Sequence, residues 1–349
     1  MKQEVIFTDN TAKELNAIIA KSKYDKLFIL TDSNTKYYCL NVILGIQATE
    51  NAHVITINAN DTNKTLDSTA HVWKELCDNG CTRHSCLINI GGGMTTDLGG
   101  FAASTFKRGI EFINIPTTLL SMVDASVGGK TGINFNGLKN EIGVFSNAKA
   151  VIIDTVFLKT LDQQNICSGY AEMLKHSLLG STDMWARHIK LNLFDIDHTS
   201  FLSMIKESVE FKERIVEEDP CECGIRKALN FGHTIGHAFE SFAMSKDSPI
   251  LHGYAVSYGI ICELFLSHVK LGFPIDMMRQ TVNYIKENYG RFIITCDDYE
   301  TLYSLMKHDK KNTGNDINFT LLEDIGNIKI NQTVSKELIL ESLDFYREI

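Results

Sequence analysis

No stretch of this chain is long and apolar enough to span a membrane. The longest apolar run, near Gly253–Leu266, is too short and carries Glu263. The first ten residues, MKQEVIFTDN, lack the basic n-region and apolar h-region of a secretory leader. A disulfide framework is missing too, since the nine cysteines are odd in number and irregularly spaced. Cys77, Cys81 and Cys86 lie close together, as do Cys221 and Cys223, but neither group has zinc-site spacing. These features predict a cytoplasmic protein with reduced thiols. Positive charge is in deficit: a net charge of −9 argues against nucleic acid or anionic membrane as a partner. Repeats, low-complexity tracts and long charge blocks are absent.

What is present is a chain of 349 residues, enough for two domains with real cores. The first half alternates β-rich runs (Leu27–Thr31, His53–Ile57, Cys86–Ile90, Phe112–Pro116, Ala150–Asp154) with helical patterns such as Leu66–Asp78 and Asp97–Ser104. Such alternation implies βαβ units and a parallel sheet. Beyond about residue 158 the helical period dominates, in Ile166–Leu179, Thr199–Glu217, Arg226–Ala243, Gly253–Leu271, Asp276–Tyr289 and Tyr299–Lys307. Asp219-Pro220 ends one of these helices and Pro249 marks a loop before another. Ile317–Leu322 and Asn327–Ile330 read as a short hairpin. The expected architecture is a Rossmann-like α/β nucleotide domain, 1–158, and a mainly helical metal- and substrate-binding domain, 159–349, with a cleft between them.

Residues 226–241, RKALNFGHTIGHAFES, hold the densest chemistry. His233 and His237 stand at i and i+4 of one helical pattern, so both imidazoles share a face suited to metal binding or proton transfer. Arg226 and Asn230 continue the stripe. The plain alternative is a surface stripe with one buried, satisfied histidine. Upstream, strand Cys86–Ile90 runs into Gly91-Gly92-Gly93 and then Asp97, a strand–glycine turn–helix that lets a backbone approach a pyrophosphate. It is not G-x-G-x-x-G, and the plain alternative is a tight βα turn. Asp124–Thr131, DASVGGKT, ends like a phosphate loop but has Asp124 where the motif needs glycine, and lacks the flanking strand and helix. The nucleotide-triphosphatase reading is rejected, while Lys130 remains a good contact for phosphate or carboxylate.

The motifs GGGMTTDLGGFAASTFKRG (91–109), IPTTLLSMVDASVGGKTGIN (115–134), LKNEIG (138–143), SGYAEMLKH (168–176), GIRKALNFGHTIGHAFE (224–240), LHG (251–253) and DKKNTG (309–314) follow one another over most of the chain. In that order they closely resemble the 3-dehydroquinate synthase family, among the sugar-phosphate cyclases. The resemblance implies a carbon–oxygen lyase of the shikimate pathway to aromatic amino acids. Such an enzyme converts 3-deoxy-D-arabino-heptulosonate 7-phosphate to 3-dehydroquinate and phosphate, with catalytic NAD+ and Zn2+, Co2+ or another divalent metal.

Carried over by motif, the metal ligands fall on Glu172, His233 and His252. Histidine spacing alone picks His233 and His237. The resemblance instead makes His237 a proton carrier. It implies catalytic roles for Lys130, Asn140, Lys175 and His237, and substrate contacts at Asp124, Lys130, Asn140, Lys175, Lys212, Arg226, Asn230 and Lys310 or Lys311. Arg108 is implied to reach across a homodimer interface. Implied NAD+ contacts are Asp32, Asn34, Asp61, Lys64, Gly91, Gly92, Gly93, Asp97, Thr117, Thr118, Lys130, Lys139, Phe157 and Thr160. Four departures stand out: Asp61 and Tyr254 each replace a usual Glu, His176 replaces a usual Tyr, and GMTTD replaces Gly-Val-Ile-Gly-Asp. Three rival readings are a metal-dependent polyol dehydrogenase, another sugar-phosphate cyclase and a non-catalytic NAD- or zinc-binding regulator. The first has little use for so many cations, and the last would keep costly buried charges without a ligand.

Overall fold

The computed structural model describes residues 3–136, 138–196, 198–307 and 317–349. Lys310 and Lys311, expected to contact substrate, lie outside the described residues. The chain divides into two compact units: Met1–Asp162 with Leu202–Val209, and Gln163–Phe201 with Glu210–Ile349.

The first unit contains β1 (Glu4–Phe7), β2 (Leu27–Asp32), β3 (His53–Ile57), β4 (Cys86–Gly91), β5 (Glu111–Pro116), β6 (Lys130–Phe135), β7 (Leu138–Phe145) and β8 (Ala150–Ile153). Helices α1 (Thr11–Lys21), α2 (Ser33–Tyr38), α3 (Leu66–Asp78) and α4 (Gly93–Thr105) connect them. Six strands form a parallel sheet in the order β1-β8-β5-β4-β2-β3. β4 is buried along its whole length, as a near-continuous apolar run must be when both faces are covered. The direction in which successive strands are added reverses between β2 and β4, since β2 leads outward to β3 and β4 leads the other way to β5. The carboxyl ends of these two strands therefore form a topological switch point, where open α/β sheets bind ligands.

β6 and β7 pair antiparallel, apart from the main sheet. Lys130 is thus the first residue of a strand, not the mouth of a phosphate loop, in keeping with the rejected triphosphatase reading. The hairpin was not apparent in the sequence because its glycine-rich entry hides the alternation of a strand.

The second unit is helical: α5 (Gln163–Gly180), α6 (Thr182–His188), α7 (His198–Glu218), α8 (His233–Ser245), α9 (His252–Leu271), α10 (Ile275–Tyr289), α11 (Tyr299–Lys307) and α12 (Lys336–Glu348). Strands β9 (Phe319–Asp324) and β10 (Asn327–Gln332) form the expected antiparallel hairpin. α9 is the hub, packing against α5, α8, α10, α12 and β9. Its long apolar run is therefore a helix buried nearly all round. Among the described residues, no helix is long and apolar enough to cross a membrane.

One expectation fails here. Arg226–Ala243 is not a continuous helix. Ile225–Asn230 is a 3₁₀ turn, Phe231 is non-helical with ψ 130°, and Gly232 is left-handed at φ 79°. α8 begins only at His233, so Arg226 and Asn230 do not extend the histidine stripe. Gly232 supplies a backbone conformation that other residues adopt only with strain. The break also lets α8 and α9 cross closely: a Cβ added at Gly259 would lie 2.0 Å from the Gly232 carbonyl oxygen.

Candidate active site

In the second unit three elements converge on a small donor cluster. Glu172 projects from α5, His233 is the first residue of α8, and His252 is the first residue of α9. Glu172 is fully buried. The Nε2 atoms of His233 and His252 each stand 3.4 Å from the same Glu172 oxygen, Oε1. One ligand atom from each of the three residues lies within 4.8 Å of the others. Among the described residues, the Glu172 oxygens make no hydrogen bond of good geometry. Two imidazole nitrogens and a buried carboxylate this close together fit a catalytic divalent metal, since three protein ligands leave coordination positions for substrate oxygens.

The electrostatics agree. Burial works to raise the Glu172 pKa, but Lys175, then His233 and His252, outweigh it and hold the carboxyl well below its ordinary range. Lys175, three residues on along α5, pairs directly with Glu172. Burial works to lower the His252 pKa, while the neighbouring Glu172 and Glu240 carboxylates push it up to about 10. The cluster thus draws positive charge to itself, as proton or as metal.

The other ring nitrogens are also held. His233 Nδ1 lies 3.1 Å from the Phe231 carbonyl oxygen, and His252 Nδ1 lies 3.4 Å from Glu240 Oε2. Such partners fix the tautomer and aim Nε2 inward. Glu240 sits three residues after His237, a spacing that could have revealed it in the sequence. Tyr254, in place of the usual Glu, packs its ring edge-on against Tyr289 at 5.2 Å. His176, another departure, is buried with its ring 5.7 Å from Phe211. The rings of His233, His237 and His252 stand 5.3–5.8 Å apart, so His237 borders the cluster without belonging to the Glu172 set.

The same unit buries three expected substrate cations: Lys175, Lys212 and Arg226, all at most 5% exposed. The loop after α7 anchors the last. Asp219 accepts hydrogen bonds from the backbone N–H groups of Cys223, Gly224 and Arg226 at 3.0, 2.6 and 3.1 Å. Arg226 Nη1 donates to the Pro220 carbonyl at 2.7 Å, and Asn230 Nδ2 donates to Glu222 at 2.9 Å. Spacing gave no hint of these anchors, because they act between backbone and side chain across a turn.

In the first unit the switch point carries the expected nucleotide residues. Gly91 ends β4, Gly92 precedes α4 and Gly93 begins it. Gly92 offers no side-chain cap, which leaves the first N–H groups of α4 to an anion. The turn is tight: a Cβ on Gly92 would lie 3.0 Å from Thr118 Cγ2. Thr117 N–H donates to the Gly91 carbonyl, and Thr118 Oγ1 accepts from Ser121 N–H. Asp32 caps α2 through the N–H groups of Asn34 and Thr35, and its other oxygen accepts from Thr95 on α4 at 3.0 Å. Lys64 bridges Asp97, at 2.5 Å, and Asn140. Burial raises the Asp97 pKa, against the pull of Lys64, with Asp124 and Asp61 adding to the rise. Asp61 pairs with Lys139 at 3.6 Å.

The remaining expected residues are dispersed. Lys130 is exposed at the start of β6, Phe157 is buried and Thr160 exposed in the turn Thr155–Thr160. Arg108 is exposed past the far end of α4, roughly 20 Å along its axis from the glycine turn.

Residues 54–168 match the model of the 3-dehydroquinate synthase N-terminal family, and residues 169–312 match that of its C-terminal counterpart. The chain belongs to the 3-dehydroquinate synthase family. A 3-dehydroquinate synthase of Parabacteroides distasonis is 56% identical, covering 99% of this chain and 98% of its own. One from Oceanobacillus iheyensis is 36% identical, covering 96% and 92%. Two solved structures share the fold at 21% identity. A 2-epi-5-epi-valiolone synthase from Streptomyces hygroscopicus, with NAD+ and Zn2+ bound, superposes with a TM-score of 0.85 over 100% of this chain and 97% of its own. A 2-deoxy-scyllo-inosose synthase complexed with carbaglucose-6-phosphate, NAD+ and Co2+ gives 0.83 over 99% and 96%. A probable glycerol dehydrogenase from Sinorhizobium meliloti is more distant, at 14% identity and 0.63 over 99% and 98%.

Proposed function

We propose that this protein is a cytoplasmic, homodimeric 3-dehydroquinate synthase, a lyase acting on 3-deoxy-D-arabino-heptulosonate 7-phosphate. The observation that carries the reading is the Glu172–His233–His252 donor set in a unit that also buries Lys175, Lys212 and Arg226. Ammonium and guanidinium groups gathered in one unit suit an anionic substrate, and one with both a phosphate and a carboxylate offers two groups for them to grip. An uncharged polyol supplies none.

When bound, NAD+ supplies a temporary hydride acceptor and the divalent ion supplies Lewis acidity toward a substrate oxygen, so oxidation, phosphate elimination, re-reduction and ring closure leave no net redox change. Glu172, His233 and His252 would hold the ion. Lys175 keeps Glu172 ionised for that task. Arg226, with its guanidinium set by Pro220, grips an anionic group, and Asn230, Lys212, Lys130, Asn140 and Asp124 orient the rest. His237 borders the metal set and relays protons to and from the substrate. The uncapped start of α4 would receive the dinucleotide pyrophosphate, and Asp32, Asn34, Asp61, Lys64, Asp97, Thr117, Thr118, Lys139, Phe157 and Thr160 would contact the cofactor. Arg108, past the far end of α4, serves the partner subunit's substrate.

The test is to incubate metal-loaded enzyme and NAD+ separately with the heptulosonate phosphate, a panel of other sugar phosphates and glycerol. Phosphate and 3-dehydroquinate from the first alone support the reading. Turnover of a different sugar phosphate overturns the substrate, and NADH accumulating from glycerol overturns the reaction class.

A further inference from the structure

The nine cysteines are free, and four are exposed: Cys77, Cys221, Cys223 and Cys296. Of these only Cys221 and Cys223 are neighbours, separated by Glu222. The Cys223 side chain folds back along the loop, its sulfur 3.8 Å from the Cys221 carbonyl oxygen. Glu222 between them is left-handed, with φ 60°. A central residue of helical curvature, of either hand, brings its neighbours' α-carbons to roughly 5.4 Å, inside the window a disulfide needs. The mechanism proposed above uses neither thiol.

We infer that Cys221 and Cys223 are a redox modification site, closing a reversible disulfide that loosens the hold on Arg226 and Asn230. The co-reactant is a small-molecule disulfide such as oxidised glutathione. One thiolate attacks a sulfur of that disulfide, expels one thiol and forms a mixed disulfide. The second thiolate then attacks the protein sulfur of that bond and expels the second thiol. Two protein thiols give up two electrons and two protons, and the small disulfide is reduced to two thiols.

The loop ties this chemistry to the site. Pro220 accepts from the Arg226 guanidinium, Glu222 accepts from Asn230, and Asp219 accepts from the backbones of Cys223, Gly224 and Arg226. Drawing the Cys221 and Cys223 sulfurs into a bond forces a small ring through Glu222 and pulls both it and Pro220 from their partners. Small exposed rings of this kind are strained and easily reduced, as a switch requires. The kinetic consequence rests on the proposed roles of Arg226 and Asn230. The chemical step does not.

The experiment equilibrates full-length protein with glutathione buffers of graded oxidation, quenches in acid, alkylates and maps the peptides. The expected product is a Cys221–Cys223 link that dithiothreitol reverses, while C221S and C223S yield only glutathione adducts at the remaining thiol. KM for the heptulosonate phosphate should rise roughly five- to tenfold on oxidation, with kcat changed less than about twofold, and both serine variants should resist this. Absence of the link at every ratio, or bonds to other cysteines instead, overturns the inference. A link with unchanged KM overturns the coupling to Arg226. If the reduced protein does not turn over this substrate, the proposed function fails, and the peptide map still decides the chemical step.

Discussion

Glu263 should be one of the most sensitive positions in the second unit, although it touches no expected ligand. It is fully buried on α9, and its carboxylate accepts from the N–H groups of Gly232, Thr234 and Ile235 at 2.7, 3.1 and 3.3 Å. Thr234 and Ile235 follow His233 in the first turn of α8. A side chain on one helix thus caps another whose own N-cap, Gly232, has no side chain. Glu263→Ala strands three buried donors at about 1–3 kcal/mol each. Water entering the cavity, and relief from burying a carboxylate, offset part of this and leave a net loss of about 3–5 kcal/mol. Glu263→Gln, which keeps one acceptor oxygen, should lose about 1–3 kcal/mol. Calorimetry should show Tm falling by roughly 5–15 °C for the alanine variant. Because His233 is the first residue of the helix being capped, zinc affinity in a competition titration should fall about tenfold or more. An alanine variant that melts within about 2 °C of the parent and binds zinc equally well would refute the reasoning.

Other predictions follow from the same geometry. His237→Gln should keep zinc affinity within about threefold yet lower kcat by about 10²–10³, whereas His252→Ala should abolish tight zinc binding; loss of zinc from the His237 variant would make it a ligand. His188 is fully buried, and burial, aided by Arg187, lowers its pKa from 6.5 to about 3. Its folded pKa lies below its unfolded one, so the unfolded chain binds the proton first, and stability is lost as pH falls from about 6.5 toward 3, by at most about 1.4 kcal/mol per pH unit. His188→Phe, which can keep the ring contact with Tyr170, should flatten that slope in melts between pH 7 and 5; an unchanged slope would clear His188 of responsibility. Lys64→Met removes the cation between Asp97 and Asn140 and should weaken NAD+ binding about tenfold in calorimetric titration, while zinc affinity stays unchanged.

The parts of the fold legible in the sequence were those governed by local periodicity. β3 and α3 fall where the pattern places them, since an apolar run between turn signals, or a stripe at helical spacing, needs no tertiary information. The break at Gly232 was not legible, because Arg226–Ala243 keeps helical spacing through a residue whose left-handed backbone is set by the crossing of α8 and α9. The glycine turn could be placed from strand, glycines and helix alone. The candidate metal set could not: Glu172, His233 and His252 come from three helices, and only the family motifs connected them. Glu263 was visible as a charge interrupting an apolar run, but its role depends on the N–H groups it meets.

The most direct test of the central claim is turnover with NAD+ far below substrate, run anaerobically with metal-loaded enzyme and the heptulosonate phosphate. A self-contained redox cycle predicts many phosphates and many cyclic products released per NAD+, with no NADH accumulating. NADH rising in step with substrate loss, and the reaction stopping after one turnover per NAD+, would contradict it.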